Sequence, residues 1–446
     1  MAKPFLDYLA RASFLLQQGL FVGDVLYYYG DQGYNFVGPK EVDPSLGFGY
    51  DYDVTNAEVL LTRLGVRDGR LALPDGVTYE VLVLPERTDI DLAVLTKIGE
   101  FVRAGATVVG PKPRRSTGYS GYPQRDSEVA ALAGRIWGDC DGEAVRERRY
   151  GAGKVVCGRP LREVMADRGI GPDFRFSSRQ PDTAVDFIHR RTAGADIYFV
   201  RNQRRRWENI EATFRVSGKR PELWDPATGE MAEAQTYKLT QAGATVPLRL
   251  EPDGSVFVVF RRAASSSASA PPIDPDPREP IPLTGPWTVQ FLQGWGAPPS
   301  LTLDRLISWT DHPDPGVRFF SGIAEYRTDV SVPAAWLPAG RRTLLDLGDL
   351  WAAAEVELNG RNLGVAWKRP FRLEATAALR PRANTLLVRV ANNWINRLLG
   401  DSQSSGGPRF TRTNVRPSAT APRSSGLFGP VRLQPASEPV TGGSGR

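Results

Sequence analysis

The stretch from Ala354 to Asp401, AEVELNGRNLGVAWKRPFRLEATAALRPRANTLLVRVANNWINRLLGD, decides the fold of the C-terminal part of the chain. Short runs of alternating apolar residues are separated there by Gly, Pro and Asn, a pattern typical of an antiparallel β-sandwich. Asn359-Gly360 lies between two of these runs, at a position that suits a tight hairpin or a slightly longer turn. The pattern begins upstream, near Phe319, and the strands that it predicts are Tyr326–Val332, Thr343–Leu347, Ala354–Leu358 and Thr385–Val390.

The same stretch resembles the jelly-roll sugar-binding domain that is attached to many large glycoside hydrolases. The resemblance implies a role connected with carbohydrate. We therefore expect a galactose-binding-like jelly roll over residues 283–435, followed by a disordered tail at residues 436–446.

The composition indicates several domains that are rich in β-structure. A chain of 446 residues has room for about three domains, and its hydrophobic content of 41% suffices for separate cores. Gly and Pro exceed their average usage, at 45 and 36 residues, which favours many short strands over helix bundles.

The positive charge of the chain does not indicate a nucleic-acid partner. The formal net charge is +6 and the sequence pI is about 9.3, but the excess is carried mostly by scattered arginines. Arg204-Arg205-Arg206 is the one tight cluster, and no aromatic residues interleave with it as they do in a nucleic-acid groove. We interpret the cluster as the solvated tip of a hairpin.

The cysteines, the histidines and the apolar runs exclude several kinds of site. Cys140 and Cys157 have neither a disulfide framework nor a metal-binding spacing, so two buried thiols are favoured, with a single bridge as the alternative in an exported protein. His189 and His312 are the only histidines, which argues against a His-rich zinc site or a Ser/His/Asp triad. No apolar run approaches the roughly 18 residues needed to cross a membrane, so no membrane partner is expected. The compartment stays open.

Residues 21–165 are predicted to form a flavodoxin-like α/β domain. Strand patterns alternate there with helical patterns, which builds a parallel sheet with helices on both faces. No strand is followed by a Gly-rich loop of phosphate-binding spacing, which argues against a nucleotide or flavin cofactor. The predicted strands are 21–29, 81–84, 107–110 and 154–157, and the predicted helices are 56–64, 90–104 and 128–137.

The chain changes character after this domain. Residues 180–262 contain closely spaced strand patterns and are predicted to form a small β-sandwich. Residues 263–282 carry a Ser/Ala run and then several prolines, so we expect a stiff, exposed linker without a core of its own.

Several motifs resemble family 106 of the glycoside hydrolases, the α-L-rhamnosidases, and they cover nearly the whole chain in order. The family resemblance implies inverting hydrolysis of rhamnosides by two carboxylates on a (β/α)₈ barrel, with an associated calcium ion. The motifs are GDVLYYYGDQ, GYDYDVTNAEVLLTRL, LPDGVTYEVLVLP, FVRAGATVVGPKP, DFIHRRTAGADIYFVRNQ, PELWDPATGE and SSGLFGPVRL.

The implied barrel does not fit into this chain. A barrel of this kind needs roughly 250 residues, and only about twenty precede the first strand of the flavodoxin-like domain. We therefore expect residues 1–20, with an amphipathic helix over residues 5–18, to be a remnant of a preceding barrel. No catalytic residue is assigned, and the chain is expected to be inactive alone.

Asp51 and Asp53, flanked by Tyr50 and Tyr52, are the candidate carboxylate pair. In an extended backbone they face the same side with Cα atoms roughly 6–7 Å apart, which is near the carboxyl spacing of inverting glycosidases and also suits calcium. The two tyrosines would stack on a sugar. Because a helix is predicted to start near Asn56, capping or a first-turn charge is the favoured interpretation. A sugar-rim or cation role comes second, and independent catalysis is least favoured.

Trp367 and Trp394 are the remaining candidate sugar contacts. With Asn392, Asn393 and Asn396 they would form a platform with polar edges. The favoured alternative is that these tryptophans fill the sandwich core or its interface with the missing barrel. His189 is expected to be a structural histidine with satisfied ring nitrogens.

Two functional hypotheses remain. The first is an accessory C-terminal region of an α-L-rhamnosidase-like hydrolase that acts on rhamnose-containing glycans. The alternative is a non-catalytic carbohydrate-binding or scaffold protein.

Overall fold

The computed structural model describes residues 1–31, 45–270, 276–337, 340–403, 408–414, 417 and 421–436. Most of the regular structure is β-strand, arranged in several sheets, and helices are few. No helix in these described ranges is long and apolar enough to span a membrane. The α-helices are α1 (Lys3–Leu16), α2 (Ala57–Thr62), α3 (Leu92–Arg103), α4 (Gln124–Trp137), α5 (Leu161–Asp167), α6 (Pro315–Arg318) and α7 (Ile395–Gln403).

A six-stranded sheet with helices on both faces occupies the first half of the chain. Five of its strands are parallel. Numbered by their order in the chain, they lie side by side as second, first, third, fourth and fifth, and an antiparallel strand lies at the edge beside the fifth. Helices α2, α3 and α4 cover one face and α5 covers the other. In spatial order the strands are Tyr52–Thr55, Val25–Tyr28, Val81–Val83, Thr107–Val109, Gly153–Val156 and Glu147–Tyr150. A small meander beside it consists of Gly65–Arg67, Arg70–Ala72 and Thr78–Tyr79.

The predicted helices and strands of this region are confirmed, apart from the strand over residues 21–29. Helix α5, the strand Glu147–Tyr150 and the three strands of the meander were not predicted. The edge strand Tyr52–Thr55 was not predicted, because its sequence includes Asp53 and its burial is partial. The predicted strand over residues 21–29 divides into two: Leu20–Phe21 pairs with Val185–Arg191 in another sheet, and only Val25–Tyr28 joins the parallel sheet.

Two antiparallel sheets pack face to face in the middle of the chain. Their shared core contains rings from both sheets, including Phe174, Phe187, Tyr198 and Phe214. The strands of the first sheet are Leu20–Phe21, Val185–Arg191, Asp196–Asn202, Ser255–Ala263, Lys219–Trp224 and Met231–Glu233. Those of the second are Phe174–Ser178, Glu208–Phe214, Gly243–Leu250 and Lys238–Thr240.

The C-terminal sheets enclose the largest apolar core, which includes the buried rings of Trp287, Trp309 and Tyr326. Asn359-Gly360 joins its flanking strands as a two-residue turn, with φ of 54° and 77°, so the predicted hairpin is confirmed. One sheet consists of Ser300–Leu303, Trp287–Phe291, Ile323–Val332, Arg382–Ala391, Ala353–Leu358 and Arg361–Ala366. The other strands are Ile281–Pro282, Arg432–Pro435, Thr343–Asp346 and Arg372–Glu374, with Asp349–Trp351 paired to Gly426–Gly429.

The two cysteines form a disulfide, so the favoured prediction of two buried thiols is wrong. Cys140 follows α4 and Cys157 follows the strand Gly153–Val156. The chain returns from the end of α4 over the end of this strand, which brings the two Cα atoms to 6.5 Å, within disulfide reach.

The segment predicted as an exposed linker is only partly exposed. Ala268 forms a β-bridge with Tyr237, and the guanidinium of Arg278 donates to the backbone oxygens of Trp336 and Arg342. These contacts attach the segment to neighbouring parts of the chain at Ala268 and at Arg278. Residues 271–275 and most of the predicted tail, residues 437–446, lie outside the described residues.

Candidate functional site

Asp51 and Asp53 lie at the edge strand of the parallel sheet. Neither caps α2 nor lies in its first turn, so the favoured interpretation of the pair as a cap or a first-turn charge is wrong. Asn56 caps α2, because its side chain accepts a hydrogen bond from the backbone N of Val59 at 3.0 Å. Asp53 Oδ2 instead accepts from the hydroxyl of Tyr79 at 2.7 Å. Asp51 is 4% exposed, and its Oδ1 accepts from the backbone N of Tyr52 at 3.0 Å.

The rings of Tyr50 and Tyr52 belong to the apolar cluster beneath α5. Tyr50 is buried, and its hydroxyl donates to the backbone oxygen of Ile170 at 3.1 Å. Tyr52 is half-buried and meets Tyr27 edge-on, with ring centroids 5.1 Å apart. Burial raises the pKa of both tyrosines. Stacking on a sugar would require at least one open ring face, and burial removes most of that area.

The Asp51–Asp53 pair does not fit the calcium ion that the family resemblance implies. A calcium site draws six to eight oxygens from several ligands, whereas Asp53 Oδ2 accepts a hydrogen bond from the hydroxyl of Tyr79. In the described ranges, no group of three or more His, Cys, Asp or Glu side chains is arranged to hold a metal ion.

Trp367 joins the C-terminal sheets to the first helix. Its ring centroid lies 5.4 Å from that of Phe5 and 5.5 Å from that of Tyr8, both on α1. The indole is half-buried by this contact. The structure therefore places Trp367 at an interface between elements at opposite ends of the chain.

Trp394 lies on the surface just before α7. Its side chain is 56% exposed, and its ring meets Trp295 edge-on at a centroid distance of 5.1 Å. Asn392 and Asn396 flank it, and both use their amides for contacts to the backbone. Trp394 and Trp367 are thus separate features, and the structure does not bring them together with Asp51 and Asp53.

A buried charge network that was not predicted from the sequence connects the parallel sheet with the central β-sandwich. Arg215 contacts the carboxylates of Asp24 at 2.7 Å and Asp173 at 3.4 Å. Asp173 also accepts from the hydroxyl of Tyr198 at 2.8 Å and lies 2.9 Å from Nδ1 of His189. The second ring nitrogen of His189 faces Asp196 at 3.2 Å, so the expected structural histidine is confirmed.

The pKa values in this network follow from burial and from the neighbouring charges. Burial raises the pKa of Asp24 to about 6, although Arg215 opposes the shift. Burial also disfavours the charged forms of Asp173 and His189, but their mutual attraction and hydrogen bond outweigh it. The pKa of Asp173 is consequently lowered and that of His189 is raised, so the imidazolium form is stabilised between two carboxylates.

The arginine cluster is engaged by acidic neighbours. Arg206 contacts Asp182 at 2.6 Å and Glu208 at 2.9 Å, and Arg204 donates to the backbone oxygen of Asp182 at 2.7 Å. These contacts give the cluster a local structural role.

Two shallow grooves of about 500 Å³ each lie on the helix-covered sheet. The first is lined by Leu61, Lys97, Glu100 and Arg125, and the second by residues 86–89 and Pro111. Neither groove is lined by a residue that was predicted from the sequence to contact a sugar.

Comparison with known proteins places these features in a family context. A family model for glycoside hydrolase family 106, described as alpha-L-rhamnosidase, matches residues 1–239. A rhamnosidase from Novosphingobium sp. PP1Y matches 97% of this chain and 41% of its own, with a TM-score of 0.81 and 37% identity. A putative beta-glucuronidase from Formosa agariphila is 35% identical over 269 residues, which is 60% of this chain and 21% of the relative. The chain thus spans less than half of the length of either relative.

Proposed function

Because this chain belongs to family 106 of the glycoside hydrolases, the α-L-rhamnosidases, we propose that it forms an accessory, non-catalytic region of an enzyme that hydrolyses O-glycosidic bonds to rhamnose. The family implies a carbohydrate substrate for the whole protein. The choice of rhamnose-containing glycans rests on the family description and on the name of the Novosphingobium relative.

The observation that carries the non-catalytic assignment is the engagement of Asp53 by Tyr79. An inverting glycosidase needs one carboxyl group beside the leaving oxygen and a second that activates water. Asp53 receives a hydrogen bond of 2.7 Å from a phenol whose pKa is raised by burial and by that carboxylate, so the phenol remains protonated. Asp51 is buried, which leaves little access for a sugar. The pair therefore suits a structural role at the edge of the sheet.

The accessory region would brace the catalytic unit through its first helix. The α1 helix packs on the central β-sandwich through Ala12, Leu15 and Leu16 and on the C-terminal sheets through the contact of Phe5 with Trp367. Arg11 donates to the backbone oxygens of Pro226 and Ala227 at 3.1 Å each. Such contacts would give whatever adjoins the helix a fixed orientation.

The finer domain assignments belong to the same proposal. The order second, first, third, fourth, fifth of the parallel strands is that of flavodoxin-like sheets, which supports the assignment of residues 21–165. The paired antiparallel sheets around one apolar core support a jelly roll over residues 283–435. The small β-sandwich over residues 180–262 is supported in the same way by the core that its two sheets share.

An activity assay tests the proposal. The purified chain, incubated with 4-nitrophenyl α-L-rhamnopyranoside, is expected to release no more nitrophenol than buffer, whereas an active α-L-rhamnosidase serves as the positive control. Turnover that disappears in both Asp51→Asn and Asp53→Asn would overturn the non-catalytic assignment, and the active site would then lie at this edge strand.

A further inference from the structure

Trp394 differs from every other tryptophan of the chain. The ten tryptophans all lie within the described residues, and Trp394 alone is exposed, at 56%. A large ring in water loses the favourable free energy that burial would provide. Tryptophan is enriched at interfaces and aromatic side chains line ligand sites, so an exposed indole that is held in place is a candidate for contact with a ligand.

Two asparagines fix the backbone on either side of this ring. The amide of Asn392 donates to the backbone oxygen of Phe320 at 2.9 Å and accepts from the backbone N of Gly322 at 2.9 Å. The amide of Asn396, which is 1% exposed, donates to the backbone oxygen of Arg423 at 2.7 Å and accepts from its N at 2.8 Å. Each amide therefore donates one hydrogen bond to the backbone of a neighbouring segment and accepts one from it.

A buried ion pair supports the helix that follows Trp394. Arg397 and Asp401, one turn apart on α7, meet at 3.0 Å, and each side chain is 6% exposed. Asp401 Oδ2 also accepts from the backbone N atoms of Phe410 and Thr411 at 3.0 and 2.7 Å. Buried polar groups of this kind add little net stability, but they define a single position for the element that carries them.

Trp295, the second ring of the pair, is also fixed in position. Trp295 packs against the C-terminal core, and the loop that carries it is fixed by a close backbone approach. A Cβ atom on Gly316 would lie 1.9 Å from the backbone oxygen of Gly296, so that position requires glycine. The ring of Trp295 therefore gives the exposed indole of Trp394 an aromatic neighbour at an interplanar angle of 62°.

We propose that Trp394 and Trp295 form a carbohydrate-binding platform, on which the apolar C–H face of a sugar ring stacks against the indole of Trp394. The proposal rests on the proposed function for the choice of carbohydrate as the ligand. Asn393 is exposed beside the ring; its Oδ1 accepts from the backbone N of Ile395 at 3.4 Å, and its amide nitrogen carries two N–H donors that suit a sugar hydroxyl. The platform would hold a glycan on the C-terminal sheets while the catalytic unit acts on it.

Binding of a rhamnose-containing polysaccharide tests the platform. The full chain is run in affinity gels that contain rhamnogalacturonan I, with gels of xylan and of linear galactan alongside, and the dissociation constants are compared among variants. Trp394→Ala is expected to weaken binding by about tenfold or more, and Trp394→Phe, which keeps a ring, by less. Tyr119→Ala is the matched control, because Tyr119 is 91% exposed and lies on the helix-covered sheet domain.

The outcomes are decisive for the platform and separate from the test of activity. Unchanged binding by Trp394→Ala, or no retardation of the unmodified chain by any of the three polysaccharides, would overturn the proposal. Retardation by xylan or galactan alone, lost in Trp394→Ala, keeps the platform and removes rhamnose as its ligand. Hydrolysis of the aryl rhamnoside by the chain would sink the non-catalytic assignment while leaving the binding result unaffected. Thermal unfolding of each variant verifies that folding is retained.

Discussion

The ring of Trp367 lies 5.4 Å from the ring of Phe5, so the C-terminal sheets contact the first helix directly across 362 positions of sequence. The same helix reaches the central β-sandwich, where the hydroxyl of Tyr8 lies 3.0 Å from the hydroxyl of Ser255. Helix α1 therefore joins two sheet systems that follow it in sequence. Its attachment depends on a few side chains, which makes it open to a direct test.

Replacement of Trp367 by alanine should loosen α1 while the sheets remain folded. The variant loses two aromatic contacts, each worth about 0.5–1.5 kcal/mol, so amide exchange in α1 should rise by about tenfold or more. Hydrogen–deuterium exchange with peptide resolution measures this. Trp394→Ala is the control, because it removes an indole whose ring partner is Trp295 and not a ring of α1. Equal protection of α1 in both variants would contradict the role of Trp367.

The outward face of α1 should drive self-association of the isolated chain. Leu6, Leu9 and Phe14 are 56%, 41% and 65% exposed, and together they form an apolar surface on the helix that was predicted to be amphipathic. Leu6→Glu combined with Phe14→Glu is expected to shift the chain towards monomer in sedimentation velocity, with no loss of thermal stability.

Ala12→Glu provides the contrast, because Ala12 lies on the buried face of the same helix. A charge at that position would be buried against the sheet and should lower the melting temperature. If the unmodified chain sediments as a monomer at all concentrations, the outward face of α1 does not drive self-association.

Sequence patterns within a single strand, helix or turn predicted much of the fold. The buried charge network could not be predicted in this way, because it depends on contacts between residues that are far apart in the sequence. The Asn359-Gly360 hairpin was predictable because its turn chemistry lies within two residues. The network of Asp24, Asp173, His189 and Arg215 was not, because its members come from separate sheets and only the fold brings them together. The exposure of Trp394 could not be predicted either. The alternation of apolar and polar residues indicates which side chains of a strand are buried, but Trp394 lies in the loop that follows the strand.

The disulfide between Cys140 and Cys157 should stabilise the parallel-sheet domain. The bridge closes a loop with a sequence separation of 17, which the chain-entropy model values at about 3 kcal/mol. The double variant Cys140→Ser with Cys157→Ser should therefore unfold at a lower denaturant concentration than the oxidised chain. Reduction of the unmodified chain should lower its midpoint, whereas the double variant should not respond. Detection of two free thiols in the denatured, unreduced chain would contradict the bridge.

The buried charge network should make stability depend on pH in two steps. The pKa of Asp24 is raised by burial from 3.8 to about 6 in the folded chain. A raised folded-state pKa gives stability that is complete below the unfolded value and is lost as the pH rises through the folded value. The free energy of unfolding should consequently fall by about 3 kcal/mol between pH 4 and 6. The raised pKa of His189, whose ordinary value is 6.5, should produce a second fall above that pH.

Two variants assign these steps to their residues. Asp24→Asn cannot titrate, so the fall between about pH 4 and 6 should vanish while the later one remains. His189→Gln should show the reverse, at a lower stability overall, because Asp173 and Asp196 lose the cation between them. His312→Gln is the matched control, since His312 lies outside the network, and it should keep both steps. Urea unfolding from pH 4 to 9 measures the free energies of unfolding across both steps. A profile of Asp24→Asn that parallels the unmodified chain would show that another group carries the first step.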